Sequence, residues 1–369
     1  MSSDLRLQVS IDDQMLRVLD DRELIRAYPI SSGLKGVGFK EGSYRTPTGR
    51  FRIAEKIGQE AEPGTIFDAR IPVGVWSPDS PVLENDLILT RILRIDGLDP
   101  ENNNTFDRYI YLHGTNREDL LGEPASHGCL RMANHDIIEL FDLVATGTPL
   151  EIIPPTKPRG KLFFVDCDST LSSIEGIDEL ARARGDSVFQ EVVALTNAAM
   201  NGEIPLDEVF PRRMAIIQPD RKSCDEVARL YVETITPGSR ELIARIKRER
   251  WTPVILSGGF APLIQPLARE LGIAHVEAVP LTINPDGSYG GYGTHYPTTR
   301  SGGKNEIIRE WKAAMLPTRV IMMGDGASDL ETRPDVDRFV GYGGVVQRPK
   351  VKAGADLWIE HMADFVTDR

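Results

Sequence analysis

The hydrophobic positions of this chain change their period part-way along it. In the first hundred residues apolar side chains recur at every second position in short runs. Leu5 to Val9 and Met15 to Leu19 alternate in this way, and Asp12-Asp13 reads as the turn between them. Tyr28-Pro29-Ile30-Ser31-Ser32-Gly33 and Tyr44-Arg45-Thr46-Pro47-Thr48-Gly49-Arg50-Phe51 punctuate further strands. Arg108 to Leu112 reads as a β-rich run ending at His113. Beyond Cys129 the spacing becomes helical: Asn134 reads as a cap, and Ile137, Ile138, Leu140, Phe141 and Val144 share one face, which stops at Gly147. Leu150 to Ile153 predicts a last strand. Pro154-Pro155-Thr156-Lys157-Pro158-Arg159-Gly160 continues neither period, because three prolines in seven residues remove backbone donors and fix φ.

From Lys161 the pattern is alternating α/β. Leu162-Phe163-Phe164-Val165 predicts a buried strand ending at Asp166, and a largely helical stretch follows from about Glu175 to Val232. Trp251 to Leu256 predicts a second strand, ending at Ser257. Val320 to Met323 predicts a third, ending at Gly324-Asp325. Polar residues at the carboxyl ends of successive apolar strands are where open parallel sheets bind ligands. The chain thus divides into residues 1–153, a linker over 154–160, and residues 161–369.

At 369 residues, two or three domains are expected, and 41% apolar with 27% charged residues is the make-up of a soluble globular protein. The net charge of −12 is unevenly shared: 25 Asp and Glu stand against 16 Lys and Arg up to Ile153, and 30 against 27 beyond it. Neither part offers a basic platform, which argues against a nucleic-acid partner. No run approaches the ~20 apolar residues of a membrane span. The start, Met-Ser-Ser-Asp-Leu-Arg-Leu, has no apolar signal core, and Cys129, Cys167 and Cys224 form no disulfide framework. A cytoplasmic location is the expectation.

Two segments carry chemistry. Ser126-His127-Gly128-Cys129-Leu130-Arg131-Met132 sets one thiol in a glycine-flexed turn, and His113-Gly114-Thr115 lies 16 residues before the thiol. Cysteine acyl transfer needs a thiolate, a base to make it, and backbone donors for the oxyanion. This arrangement resembles the L,D-transpeptidase (YkuD-type) catalytic domain, which reads His, a gap, then Ser/Thr-His-Gly-Cys. The resemblance covers residues 5–153, including Thr46 to Phe51 and Gly147-Thr148-Pro149-Leu150, and implies a mainly β domain. It also implies that Cys129 is the nucleophile and His113 the base, oriented by the Gly114 carbonyl. His127, Gly128 and Arg131 would shape the oxyanion and substrate pocket. A peptidoglycan-type peptide would acylate Cys129 and pass to an amine or to water. His113 is expected to lower the pKa of the thiol.

The second segment is Asp166-Cys167-Asp168-Ser169-Thr170, at a strand end. Ser257-Gly258-Gly259, Lys304, and Gly324-Asp325-Gly326-Ala327-Ser328-Asp329 follow in order. Phosphoryl transfer needs a nucleophile, a cation held by oxygens, and donors on the phosphate, and each is present. The run resembles the haloacid-dehalogenase-type phosphatases, and within them the phosphoserine phosphatases. Glu175, Ile177, Asp178, Glu179, Met200-Asn201-Gly202, Arg213, and Gly341-Tyr342-Gly343-Gly344 before Arg348 extend the likeness to about residue 360. That resemblance implies a Rossmann-like α/β domain with a helical cap over about 175–235, and a phosphomonoester substrate. Asp166 would be the nucleophile and Asp168 the acid/base. Mg²⁺ would be held by Asp166, Asp325 and the main chain of Asp168, with Asp329 close behind. Ser257, Gly258 and Lys304 would bind phosphate, with Ser328 and Arg348 nearby, and Glu175 and Arg213 would meet the amino and carboxylate groups of a serine. Ser328 stands where many relatives carry Asn or Thr. Cys167 reads as packed and Cys224 as incidental. The whole chain reads as a bifunctional enzyme. Two alternatives remain for the first domain: a non-catalytic peptide sensor beside an active phosphatase, or an L,D-carboxypeptidase in muropeptide recycling.

Overall fold

The computed structural model describes residues 5–77, 86–158, 160–200 and 203–367. They form two compact units, Met1–Pro158 with Ala313–Leu316, and Arg159–Lys312 with Pro317–Arg369.

The first unit is built on a ten-stranded sheet. Its main path runs Glu23–Pro29, Met15–Asp20, Leu5–Ser10, Pro149–Ile153, Gly49–Ile57, Ile88–Gly97, Thr65–Asp68 and Ile71–Val75. Tyr111–Gly114 pairs with Ile88–Gly97 on one side and, in parallel, with Leu130–Met132 on the other. Leu7, Val9, Phe51, Ile53, Leu93 and Ile95 bury one face against the helix Asn134–Leu143, whose Ile137, Leu140 and Phe141 are buried. Three expectations are corrected. The run toward His113 is a strand only from Tyr111, because Asn102 ties the preceding segment into turns, accepting from Asp99 N and donating to Thr48 O at 3.0 Å. Asn134 is the first helical residue and Ala133 occupies the cap position. The Asn134 amide donates instead to Thr115 O and Glu118 Oε1, both at 2.8 Å, which braces the loop after His113. The edge strand Glu23–Pro29 has no counterpart in the expected elements, since most of its side chains are exposed and it lacks an alternating signal.

The second unit holds a six-stranded, all-parallel sheet in the order His275–Val279, Trp251–Phe260, Lys161–Val165, Arg319–Gly324, Arg338–Tyr342, Leu357–Ile359. Helices Gly176–Arg182, Asp186–Met200, Leu206–Ile217 and Arg221–Glu233 are inserted after the central strand. Register places the chemistry. Val165 lies opposite both Ile255 and Met323, so Asp166 emerges level with Leu256-Ser257 and Gly324-Asp325. Phe163, Val165, Ile255, Ile321 and Met323 are buried beneath these ends. Strand Trp251–Phe260 continues past its expected end and carries Ser257, Gly258 and Gly259 within it.

Candidate active sites

Three buried carboxylates meet at the carboxyl end of the parallel sheet. Asp166, Asp325 and Asp329 each bring an oxygen within 4.8 Å of the others. The Asp166 amide donates to Met323 O at 2.9 Å, pinning the start of its loop to the next strand. Gly324 leaves space for Asp329, since a Cβ there would come within 2.3 Å of that carboxyl carbon. Lys304, at the start of helix Gly303–Met315, donates to Asp166 Oδ1 at 2.8 Å and Asp329 Oδ1 at 2.6 Å. Arg348 donates from Nε to Asp325 Oδ2 at 3.1 Å, and Thr170 from its hydroxyl to Oδ1 at 3.3 Å. Burial, followed by the nearby Asp329 charge, pushes Asp166 well above the usual carboxylate range. The same two causes raise Asp325 to about 6 against the pull of Arg348. Burial opposes the charge on Lys304, yet Asp166 and Asp329 together hold its pKa above the ordinary value. A surplus of buried carboxylate oxygen in one place is the donor set of a hard divalent cation, so these residues fit one.

The side chain of Asp168 turns away from this cluster. Oδ1 accepts from Gly176 N at 2.6 Å and from the Tyr231 hydroxyl at 2.7 Å, while Oδ2 accepts from the Ser257 hydroxyl at 3.1 Å. Ser257 Oγ in turn accepts from Gly259 N at 2.9 Å. Burial and then the Asp168 charge push the Tyr231 phenol well above its ordinary value, so it stays a neutral donor. Glu175 accepts from Ser169 Oγ at 2.7 Å, and burial first, then Asp168, raises it well above the usual range. Arg213 lies on helix Leu206–Ile217 and is 3% exposed. Its Nη1 donates to Thr196 at 3.1 Å, and its buried Nε has no hydrogen-bond partner in the protein. A surface ion pair between Glu175 and Arg213 is therefore not what these residues form.

One pocket brings most of this set together: Asp166, Asp168, Glu175, Arg213, Lys304 and Asp325 wall it, with Gly258 and Ser328 also in the lining. Ser257, Asp329 and Arg348 stand just behind that wall, bonded to residues in it. Phe210, Thr298 and Arg300 line it as well, and sequence reading missed them, as it missed Tyr231. None carries a motif, and each reaches the site by packing. Cys167 is fully buried, and Asn201 and Gly202 lie outside the described residues.

The thiol site of the first unit has a different character. In the parallel register His113 lies opposite Arg131 and Leu112 opposite Leu130, so Cys129, two residues before Arg131, shares the His113 face. Tyr111 N donates to Cys129 Sγ at 3.4 Å. His113 is buried and its Nδ1 donates to Gly114 O at 2.8 Å, which leaves Nε2 as the free basic nitrogen. Gly128, at φ +113°, adopts a backbone that other residues rarely reach. Its carbonyl accepts from Thr46 Oγ1 at 2.9 Å and its amide donates to Ser126 Oγ at 3.0 Å. Arg131 is committed to Asp86 at 2.7 Å, which also accepts from Thr115 at 3.1 Å. His127 is exposed, its ring edge-on to Tyr44 with centroids 5.6 Å apart. The expected lowering of the thiol pKa is corrected. Burial raises Cys129 to about 11, with a smaller opposing pull from the Tyr111 amide, and burial also lowers His113. Both shifts favour the neutral form, a thiol and an uncharged imidazole.

Comparisons with known proteins assign a family to each part of the chain. Residues 4–152 match the L,D-transpeptidase catalytic domain family, and residues 161–333 match the haloacid dehalogenase-like hydrolases. The fold is thus a YkuD domain followed by a hydrolase of the haloacid-dehalogenase class. Within that class the chain is 40% identical over 206 residues to mouse phosphoserine phosphatase, covering 54% of this chain and 88% of that protein. Over 217 residues it is 39% identical to the human phosphoserine phosphatase, covering 56% and 93%. A solved phosphoserine phosphohydrolase-like protein from Francisella tularensis subsp. tularensis SCHU S4 superposes with a TM-score of 0.51 at 27% identity, over 55% of this chain and 96% of that one. The chain belongs to the phosphoserine phosphatase family, and carries the YkuD domain in addition. Among the described residues, no helix is long and apolar enough to cross a membrane.

Proposed function

We propose that the C-terminal unit hydrolyses phosphoserine to serine and phosphate. The observation that carries this reading is the placement of Glu175 and Arg213, a half-buried carboxyl and a buried guanidinium, on the wall of the pocket that Asp166 also lines. An ammonium and a carboxylate, together with a phosphate, match that wall end for end. Asp166 Oδ forms a bond to phosphorus as the bond from phosphorus to the serine oxygen breaks. Asp168 gives its proton to that oxygen, and serine leaves. Asp168, now a carboxylate, takes a proton from the water that attacks the aspartyl-phosphate, and phosphate leaves. Lys304 and Ser257 hold the phosphoryl oxygens through charge and a hydroxyl donor. The oxygens of Asp166, Asp325 and Asp329, with the main chain at Asp168, would hold Mg²⁺, which offsets negative charge between Asp166 and the phosphate when bound. The purified chain with Mg²⁺ should release serine and phosphate in equal amounts. It should prefer phosphoserine to phosphoethanolamine, which lacks the carboxylate. Equal kcat/KM on the two would remove Arg213 from substrate recognition.

The N-terminal unit supports a second activity, cysteine-dependent acyl transfer from a peptidoglycan-type peptide. The shared face of His113 and Cys129 favours it. Because both groups are neutral at rest, His113 Nε2 takes the thiol proton as sulfur attacks the acyl carbon, and returns it to the leaving amine. The amide of Cys129 would be a donor to the oxyanion, while that of Gly128 is taken by Ser126 Oγ. A β-lactam or thioester probe should leave an acyl group on Cys129 and none on Cys167 or Cys224. An intact, unlabelled Cys129 would reduce this unit to a binding module. Residues 154–160 serve as the linker between the two activities.

A further inference from the structure

Both oxygens of Asp168 are filled, and the three donors come from the sheet and from two of the inserted helices. Oδ2 is held from the sheet by Ser257. Oδ1 is held by Gly176 N, in the first turn of the inserted helices, and by the hydroxyl of Tyr231, on the last of them. Tyr231 is fully buried, an unusual place for a phenol unless its hydroxyl has a partner. The fit is tight. A Cβ on Gly176 would lie 2.0 Å from the Tyr231 oxygen, so only glycine at that position admits the phenol to Asp168. Gly259 makes a matching allowance on the other side, where a Cβ would come within 3.0 Å of Asp168 Oδ2.

We propose that Tyr231 is the positioning residue for the general acid of this phosphatase. Its hydroxyl fixes Asp168 through Oδ1, so that Oδ2 is presented to the leaving oxygen of an alkyl phosphate. The inference rests on the phosphatase reading above and adds a residue to it. A serine hydroxyl has one proton to donate. When a phosphoryl oxygen takes the donor of Ser257, Oδ2 is released, and the carboxyl would swing freely if nothing held Oδ1. Gly176 N alone would leave it a pivot, and the phenol supplies the second point of attachment. Tyr231 touches neither substrate nor reacting atoms and acts through Asp168.

The consequence depends on the leaving group. Serine leaves as an alkoxide that must be protonated as the bond breaks, whereas p-nitrophenolate leaves without a proton. Tyr231→Phe in the full chain with Mg²⁺ should therefore lose about 10- to 100-fold in kcat/KM for phosphoserine, and less than about threefold for p-nitrophenyl phosphate. kcat/KM is the right quantity because it reports the steps up to release of the alcohol. Gly176→Ala, which keeps the phenol in the sequence and denies it the space, should give the same split and serves if Tyr231→Phe fails to fold. Equal losses on both esters would make Tyr231 a structural residue, and no loss on either would leave the hydroxyl without a role. A wild-type chain inactive on phosphoserine but active on another alkyl phosphomonoester would overturn the serine reading only. The split is then read on that ester against p-nitrophenyl phosphate.

Discussion

The two groups proposed as nucleophiles, Asp166 and Cys129, sit in opposite settings. Asp166 sits among buried charges: Lys304 bonds both it and Asp329, and Asp325, held by Arg348, brings an oxygen within 4.8 Å of theirs. Among the described residues Cys129 makes no ion pair: of the charges near it, Arg131 and Asp86 are paired with each other, and Arg108 acts on it only through space. The first site holds excess negative charge that a cation would complete, and its reactivity waits on that ion and on the phosphate. The second needs no ion. On the acyl-transfer proposal it would wait on a substrate whose acyl carbon draws the thiol proton across to His113. Burial does both: it drives Asp166 and Asp325 toward the neutral form and drives the thiol and imidazole toward theirs. What differs is the compensation beside each group.

If the thiol site works by proton transfer during attack, His113→Ala should slow acylation of Cys129 by a thioester about 10²- to 10⁴-fold, measured by the mass of the adduct over time. Acylation at the wild-type rate would show that the imidazole is a bystander. The resting protonation can be read separately. With a pKa of about 11, only about one thiol in 10⁴ is ionised at pH 7, so alkylation of Cys129 by iodoacetamide should rise about tenfold per pH unit from 7 to 10. A plateau already reached at pH 7 would mean a preformed thiolate, and the contrast between the two sites would fail.

In the phosphatase site, Arg213→Met keeps the stem and removes the charge. Loss of a charge-assisted contact, worth roughly 1.5–3 kcal/mol, predicts about a 10- to 150-fold lower kcat/KM for phosphoserine. p-Nitrophenyl phosphate, which lacks a carboxylate, should be nearly unaffected. A smaller effect is expected in stability. A carboxyl whose folded-state pKa is raised binds protons on folding, so its contribution falls as pH rises from the unfolded value near 4 to the folded one. For Asp325 that window is about 4 to 6. Without metal, the Tm of the C-terminal transition should therefore fall across that range. Mg²⁺ at about 100 times its Kd should raise it by a few degrees at pH 7.5, and by less at pH 5, where protons compete. An increment from Mg²⁺ that is the same at both pH values would place the ion elsewhere than at this cluster.

Much of both sites was legible because their chemistry sits at strand ends and in turns, where motifs are local. Asp166, Ser257 and Asp325 could be placed from three apolar runs, and register then set them side by side. The Gly128 turn could be read because a nucleophile flanked by glycine and histidine has few structural reasons to exist. What escaped was set by packing over long separations. Tyr231 stands 63 residues from Asp168 in an amphipathic helix, where a tyrosine looks like core. Asp86 lies 45 residues from Arg131, and Asn134 was mistaken for a cap because its true work, bracing the loop after His113, is not local to its helix. The edge strands Glu23–Pro29 and Ile71–Val75 are largely exposed, so neither alternation nor a buried run marked them. The thiol pKa was misjudged for a related reason: proximity of a histidine is visible in sequence, and the degree of burial is not.

The central claim is that one chain carries two separate active sites with different nucleophiles. It is tested most directly by measuring both activities on the same preparations of wild-type, Asp166→Asn and Cys129→Ala protein, with Mg²⁺, phosphoserine and an acylating probe. Asp166→Asn should lower phosphate release about 10⁴-fold or more while Cys129 is acylated at the wild-type rate. Cys129→Ala should abolish the acyl adduct while phosphate is released at the wild-type rate. Loss of both activities in either variant, or persistence of phosphate release in Asp166→Asn, would contradict it.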